Sequence, residues 1–372
     1  MGDRLAHRWS VGHNYLSGIT LGRWLRLLSD NRFDVDLVYG HRVAFVTLLA
    51  AMNSAWALLE DLRFARAIER TPIEQPPLFV LGHWRSGTTH LHNLLALDTA
   101  TFAFASTYEV VSPSTFLTTQ ALNTRLFGWM VPRTRPMDNM ELSFDAPQED
   151  ELALAILSLR SMYFTITFPR RDAHYERFLT FREAPLEDVE RWRAALVWFV
   201  RKLTLRHRRP ILLKSPCHTA RIRLLLETFP GARFVHIHRD PYVVFQSSRH
   251  YFDTAAWYTY LQRPDRSKLD QEILDRYAEL YEAFFAERAL IPTGRFHEIA
   301  FDELERDPVR ALRGTYEALS LPGFQAFEPR LAEHVRSLAG YRKNQHRELD
   351  PATRARVAAA WAQSFDEWGY AR

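Results

Sequence analysis

The segment Gly82-His-Trp-Arg-Ser-Gly-Thr-Thr89 gathers two glycines, an arginine and three hydroxyls into eight residues. A glycine-bearing loop between a strand and a helix presents backbone N–H groups that can cradle a phosphate. The spacing follows G-x-x-x-x-G-K-[ST], with Gly82 and Gly87 in register, but Thr88 stands where that motif has its lysine, and Thr89 follows it. A nucleoside-triphosphate hydrolase uses that lysine on the β/γ-phosphates and the next hydroxyl on magnesium. Here the cation, Arg85, lies inside the loop. The loop suits a nucleotide phosphate and is poorly made for ATP hydrolysis; taken alone, it could also be a strand-helix turn with no ligand.

A second cluster is His238-Arg-Asp-Pro241, with Ser247 eight residues beyond Arg239. An arginine leaving the carboxyl end of a central strand stands where open α/β sheets bind ligands. Ser247, two turns into the next helix, could share an anion with Arg239; an Arg239–Asp240 ion pair is the structural alternative. Lys214 closes the apolar run Pro210-Ile-Leu-Leu-Lys214, an unusual end for a buried strand, and His218 follows four residues later. Glu109, in Ser106-Thr-Tyr-Glu109, reads as a helix-start carboxylate favoured by the dipole. Gln148-Glu-Asp-Glu151 reads as the solvated first turn of a helix. His236 and His238 share one face of a strand with no neighbouring ligand set, so no metal is expected. His90 and His92 read as packing residues.

The elements that must position these groups are legible from periodicity. Leu78-Phe-Val-Leu81, Pro210–Lys214 and Arg233-Phe-Val-His-Ile-His238 are short apolar runs typical of strands buried on both faces. A weaker strand is expected at Phe296–Ala300, and each run precedes a helical pattern, with Pro241 at a favoured first helical position. The fold class expected is α/β, a parallel doubly wound sheet with a P-loop-like phosphate-binding loop, large helical insertions and an N-terminal helical segment. Residues 1–74 are read as that N-terminal segment packing on the core. Residues 75–372 form the α/β domain, and its insertions at 109–205 and 245–290 shape one substrate cavity.

Composition bounds the rest. The 372 residues are 47% hydrophobic and 25% charged, the balance of a folded globular protein rather than a disordered chain, a collagen-like repeat or a coiled coil. Forty-eight basic against 44 acidic residues leave a net charge of +4, too even for a nucleic-acid partner. One cysteine, Cys217, excludes a disulfide framework and fits a reducing cytoplasm. No secretory signal is read at the N-terminus. Residues 43–59 are the most apolar stretch, shorter than the ~20 residues of a membrane span, so a buried or interfacial helix is expected. The Leu-, Trp- and Arg-rich helices of residues 15–70 read as a cap on the core, or as a face for peripheral contact with lipid or a greasy substrate.

Arg-Ser-Gly-Thr-Thr after the first strand and Arg-Asp-Pro-x-x-x-x-x-Ser after a later one resemble the two phosphate-binding signatures of sulfotransferases, which use 3′-phosphoadenosine 5′-phosphosulfate (PAPS). Leu213–His218, Phe229-Pro-Gly-Ala-Arg-Phe-Val and Phe301-Asp-Glu-Leu-Glu-Arg-Asp-Pro308 resemble further family elements, and the likeness covers roughly residues 78–345. It implies that Arg85, Ser86, Gly87, Thr88 and Thr89 hold the 5′-phosphosulfate end, and that Arg239 and Ser247 hold the 3′-phosphate. Arg342 and Lys343, in Tyr341-Arg-Lys-Asn344, would close over that phosphate or form a solvated basic turn. Two departures stand out: Phe301 replaces a frequent tyrosine, which removes an adenine hydrogen bond, and Trp84 precedes Arg85 where the family has proline.

Sulfuryl transfer needs positive charge on the non-reacting oxygens and the leaving oxygen, and a base for the acceptor. Arg85 and Lys214 are the expected cations. Glu109 and His218 compete for the base: one branch of the family carries a catalytic glutamate at the place of Glu109, and another a catalytic histidine on the loop of His218, at an offset that differs by two. The implied activity moves a sulfuryl group to a hydroxyl or amine of a small-molecule or lipid-like acceptor, releasing PAP, without a metal. The location implied is cytoplasmic or peripheral at a membrane; the oligomeric state is not legible. An ATP-dependent phosphotransferase and a non-catalytic nucleotide-binding membrane-associated protein are the rival readings.

Overall fold

The computed structural model describes residues 5–127, 143–337 and 348–372, which form two compact units. The first joins residues 5–73, 105–127, 143–208 and 250–267; the second joins 74–104, 209–249, 268–337 and 348–372.

The second unit is built on five parallel strands in the order β2-β3-β1-β4-β5: β1 Leu78–Leu81, β2 Ala103–Phe104, β3 Ile211–Lys214, β4 Arg233–His238 and β5 Phe296–Ala300. Four of these are the runs expected from the sequence; the two-residue β2 is an addition. In register, Val80 faces Lys214 on one side and Val235 on the other. After β1 the chain runs to the β2 edge and after β4 to the β5 edge, so the loops leaving these two adjacent strands diverge at a topological switch point. Val80, Leu212, Val235 and Ile237 are fully buried with Leu91, Leu94 and Leu95 of the Thr88–Ala96 helix and Leu312 of the Pro308–Ala318 helix. Each such side chain stabilises the fold by ~1.5–3 kcal/mol. Asp307 caps the Pro308–Ala318 helix, its carboxylate accepting from Arg310 N at 3.0 Å, with Pro308 at the first position.

The first unit is helical. The apolar stretch at 43–59, expected to be short, lies inside a 31-residue helix, Gly40–Arg70. The helix is long and apolar enough to cross a bilayer by length and composition. Its inward face, however, is committed to polar partners. Arg42 donates to the carbonyls of His7, Ser10, Trp257 and Tyr260 at 2.8–3.1 Å. Asn53 donates to Ser17 O and Ile19 O, and Ser54 accepts from Leu21 N. Glu60 forms a fully buried ion pair with Lys202, which also donates to Pro113 O. Burial pulls the Lys202 ammonium down to about 8, with Glu60 opposing.

The expectation of a solvated turn at 148–151 is not met. Asp150 and Glu151 are fully buried, Glu151 accepting from Ser161 Oγ at 2.7 Å, while Glu149 accepts from the Tyr163 hydroxyl. These hydroxyls come from beyond the end of the Glu151–Ser158 helix and replace the water that a sequence-local view supplies.

Candidate active site

The loop after β1 is shaped by its two glycines. Gly82 has φ +140°, and a Cβ there would lie 2.5 Å from Ile237 O. Gly87 has φ +105°, and its Cβ would lie 2.3 Å from Phe301 Cδ2. Neither position admits a larger side chain without movement. Between them Arg85 takes a left-handed φ of +71°, a conformation that costs a non-glycine residue roughly 1–2 kcal/mol and is often retained at functional sites. Ser86 N and Oγ both donate to His83 O, at 3.1 and 2.8 Å, closing the turn. Gly87 caps the Thr88–Ala96 helix, whose first bond is Leu91 N to Gly87 O at 3.1 Å. The amides of Thr88, Thr89 and His90 precede that bond and form the positive end of the helix, an anion-binding arrangement.

Side chains from the neighbouring strands converge on this loop. Arg85 Nε donates to Ser247 Oγ at 2.9 Å, bringing together a member of each sequence cluster. Arg239, at the end of β4, lies over the Phe301 ring, 4.0 Å from its centroid, and the same ring fills the space beside Gly87. Burial lowers the Arg239 guanidinium below its ordinary range; Glu305 and Asp302 oppose this, and the charge of Arg85 adds to it. Two guanidinium groups in mutual repulsion gain from an anion bound between them. Asp240 caps the Pro241–Thr254 helix, its Oδ1 accepting from Tyr242 N at 2.7 Å.

Lys214, buried at the end of β3, donates to Thr89 Oγ1 at 3.3 Å. Its charge and burial hold the enclosed His92 ring far below its usual range, burial being the larger cause. Beyond it, Pro216–Ala220 is a short 3-10 turn. Thr219 Oγ1 accepts from Gly82 N at 2.7 Å and donates to Gly82 O at 3.2 Å. Both ends of the 214–219 segment are therefore fastened to the phosphate loop. His218 lies between them, fully buried, with its ring edge-on to Phe79 at 5.2 Å.

Glu109, in the first unit, has different company. Its Oε2 accepts from Ser106 N at 2.8 Å in a capping box. Its Oε1 accepts from His207 Nε2 at 2.9 Å and pairs with Arg206 Nε at 3.3 Å. Burial would raise this carboxyl, but His207, Ser106 and Arg206 together hold it below its ordinary value.

Thr219 and Tyr281 escaped the sequence reading; Tyr281 Oη accepts from His83 N at 3.2 Å. Neither lies in a motif, and the only sequence signal was the closeness of Thr219 to His218. Burial among the Tyr281 and Tyr277 rings pushes the His83 imidazole down to about 3. His236 Nδ1 is 2.8 Å from Glu298 Oε2, and among the described residues no group of three His, Cys, Asp or Glu could hold a metal. Arg342 and Lys343 lie outside the described residues.

Residues 76–326 match the sequence profile of a family described as the Sulfotransferase family. Over 355 residues the chain is 37% identical to proteins named Omega-hydroxy-beta-dihydromenaquinone-9 sulfotransferase Stf3 from Mycobacterium bovis and Mycobacterium tuberculosis, covering 95% of this chain and 91% of theirs. Two solved structures share the fold. Sulfotransferase STF1 from Mycobacterium tuberculosis has a TM-score of 0.66 at 18% identity, covering 95% of this chain and 94% of that one. Sulfotransferase STF9 from Mycobacterium avium has a TM-score of 0.66 at 19% identity, covering 93% and 91%.

Proposed function

The chain belongs to the sulfotransferase family, and from that premise we propose that it transfers a sulfuryl group from PAPS to a hydroxyl or amine of a hydrophobic acceptor. The observation that carries this reading is the convergence at one sheet end of Arg85 on Ser247, Lys214 on Thr89 and Arg239 over Phe301. PAPS, when bound, supplies the activated sulfuryl group. The loop amides of Thr88–His90 with Arg85 orient its 5′ end, and Arg239 reads the 3′-phosphate. Lys214 and Arg85 place positive charge where it grows on the leaving phosphate oxygen and the transferring group. The acceptor oxygen forms its bond to sulfur as the bond to phosphate breaks, and PAP leaves.

The proton of the acceptor falls to His218 rather than Glu109 in this reading. Glu109 has both oxygens engaged and is held acidic, whereas His218 sits in the segment tied to the phosphate loop at Lys214 and Thr219.

The acceptor proposed is a hydroxyl on a long apolar molecule, after the omega-hydroxylated dihydromenaquinone in the names of the two mycobacterial relatives. A lipid-contacting face accompanies it. On the Gly40–Arg70 helix, Leu48, Met52, Trp56, Leu58, Leu59 and Leu62 are 37–76% exposed on the side away from the polar anchors. Exposed Arg63, Arg66 and Arg70 follow, interspersed with Asp61 and Glu69. A helix anchored along one face and apolar along the other lies in an interface rather than across it. The proposed location is the cytoplasm, peripheral at a lipid surface.

Calorimetric titration with PAP, ADP and magnesium-ATP tests the donor. Tight PAP and weak ADP binding are expected; preference for magnesium-ATP would overturn the reading in favour of a phosphotransferase.

A further inference from the structure

We infer that residues 361–370 act as a clamp that positions Arg239, an inference that rests on Arg239 reading the 3′-phosphate. These residues lie outside the stretch 76–326 matched by the family profile, and they hold the Arg239-Asp240 pair from both flanks. On the near side, the His238 imidazole lies flat against the Trp368 indole, with centroids 4.7 Å apart and 4° between the planes. His238 Nδ1 is 2.9 Å from Tyr370 Oη. On the far side, Phe365 packs on Tyr242 at 4.8 Å, and the Arg354 guanidinium covers the same ring at 3.9 Å.

The clamp is itself fixed. Trp361 stacks on Tyr277 at 3.7 Å and donates from Nε1 to Leu274 O at 3.0 Å. Glu367 pairs with Arg288. Gly369, with φ +68°, turns the backbone so that Tyr370 N reaches Phe365 O at 3.1 Å and the phenol comes back over β4. Arg239 is thus the first of three residues between the gripped rings of His238 and Tyr242, with its side chain resting on Phe301. Holding its backbone in place before the ligand arrives removes an ordering cost that binding would otherwise carry. The benefit applies to one ligand group only, the 3′-phosphate.

That restriction supplies the test. Trp368→Leu, Tyr370→Phe and Arg239→Ala are made in the full chain, and PAP and ADP affinities are measured by calorimetry together with thermal stability. PAP carries the 3′-phosphate that ADP lacks, and ADP a 5′ β-phosphate that PAP lacks, so the change of their affinity ratio from wild type to variant reports Arg239 placement, whereas a merely structural contribution lowers stability without moving the ratio. Trp368→Leu is expected to lower PAP affinity about tenfold with ADP affinity kept, the scale of one loosened charge-assisted contact. Trp368→Phe, which keeps a ring against His238, is expected to restore the ratio. Tyr370→Phe, which removes a single oxygen, covers the case in which Trp368→Leu does not fold, and a lowered ratio in it supports the clamp. A wild-type ratio in whichever of the two variants folds, alongside a collapsed ratio in Arg239→Ala, overturns the clamp alone. An unchanged ratio in Arg239→Ala overturns the role of Arg239 and the clamp with it.

Discussion

Replacing Gly87 by alanine places a methyl group 2.3 Å from Phe301 Cδ2 and 2.8 Å from Cε2. Carbon atoms reach favourable contact at about 3.5 Å, so the ring has to retreat by about 1 Å. Overpacking of this kind costs about 1–3 kcal/mol, and the φ of +105° adds roughly 1–2 kcal/mol for a residue with a Cβ. The expected loss of stability is therefore about 2–5 kcal/mol. The displaced ring is also the one under Arg239, so the ratio of PAP to ADP affinity should fall together with stability. Chemical denaturation and calorimetry on Gly87→Ala, Phe301→Leu and the double variant measure both effects. Leucine lacks the ring edge that meets the new methyl, so the double variant should be more stable than the sum of the singles by about 0.5–3 kcal/mol. Strict additivity, or a wild-type PAP-to-ADP ratio in a folded Gly87→Ala variant, would refute the claim that Phe301 couples the phosphate loop to Arg239.

Lys214→Ala should lower kcat by about a hundredfold or more while leaving PAP affinity largely intact, measured by steady-state kinetics beside calorimetry. Glu109→Gln should lower the melting temperature, whereas His218→Asn should lower kcat with stability nearer wild type; the reverse pattern would move the base to Glu109. Because the Glu109 carboxyl is held below its ordinary value of 4.5, its contribution to stability is complete above that pH. That contribution is lost as pH falls through the lower folded value, so an acid melt of Glu109→Gln should show a shallower decline than wild type. Leu48→Glu with Leu62→Glu should reduce co-sedimentation with vesicles containing anionic phospholipid at least about tenfold; undiminished binding would remove the proposed lipid face.

β1 and β3 were legible because each is buried on both faces and reads as a short apolar run; β4 is buried too but carries two histidines, and the partly buried β5 gave a weaker signal. β2 was not legible, since a pair such as Ala103–Phe104 has no period to detect. The Gly40–Arg70 helix looked short because Arg42 and Glu60 bound its apolar run, and Thr47, Asn53 and Ser54 lie within that run. They are pegs on its inward face: Thr47 accepts from Trp24 Nε1 at 2.9 Å, and Asn53 and Ser54 bond the 17–21 backbone. The loop and its cations were likewise visible from spacing. The bond from Arg85 to Ser247 was not, because a side chain two turns along a helix faces several neighbours and spacing alone does not choose among them. Burial of Asp150 and Glu151 was equally hidden, because it depends on hydroxyls brought in by later turns.

Donor-dependent transfer to an apolar alcohol is open to a product assay. The most direct measurement incubates the protein with PAPS labelled in its sulfate group, a long-chain lipid alcohol and a metal chelator, then separates the lipid fraction. Label is expected in the lipid with PAP formed in equal amount, and both at a rate lowered about a hundredfold or more in Lys214→Ala. PAP binding without transfer to any apolar or polar hydroxyl or amine tried, or transfer that requires magnesium and ATP, would contradict it.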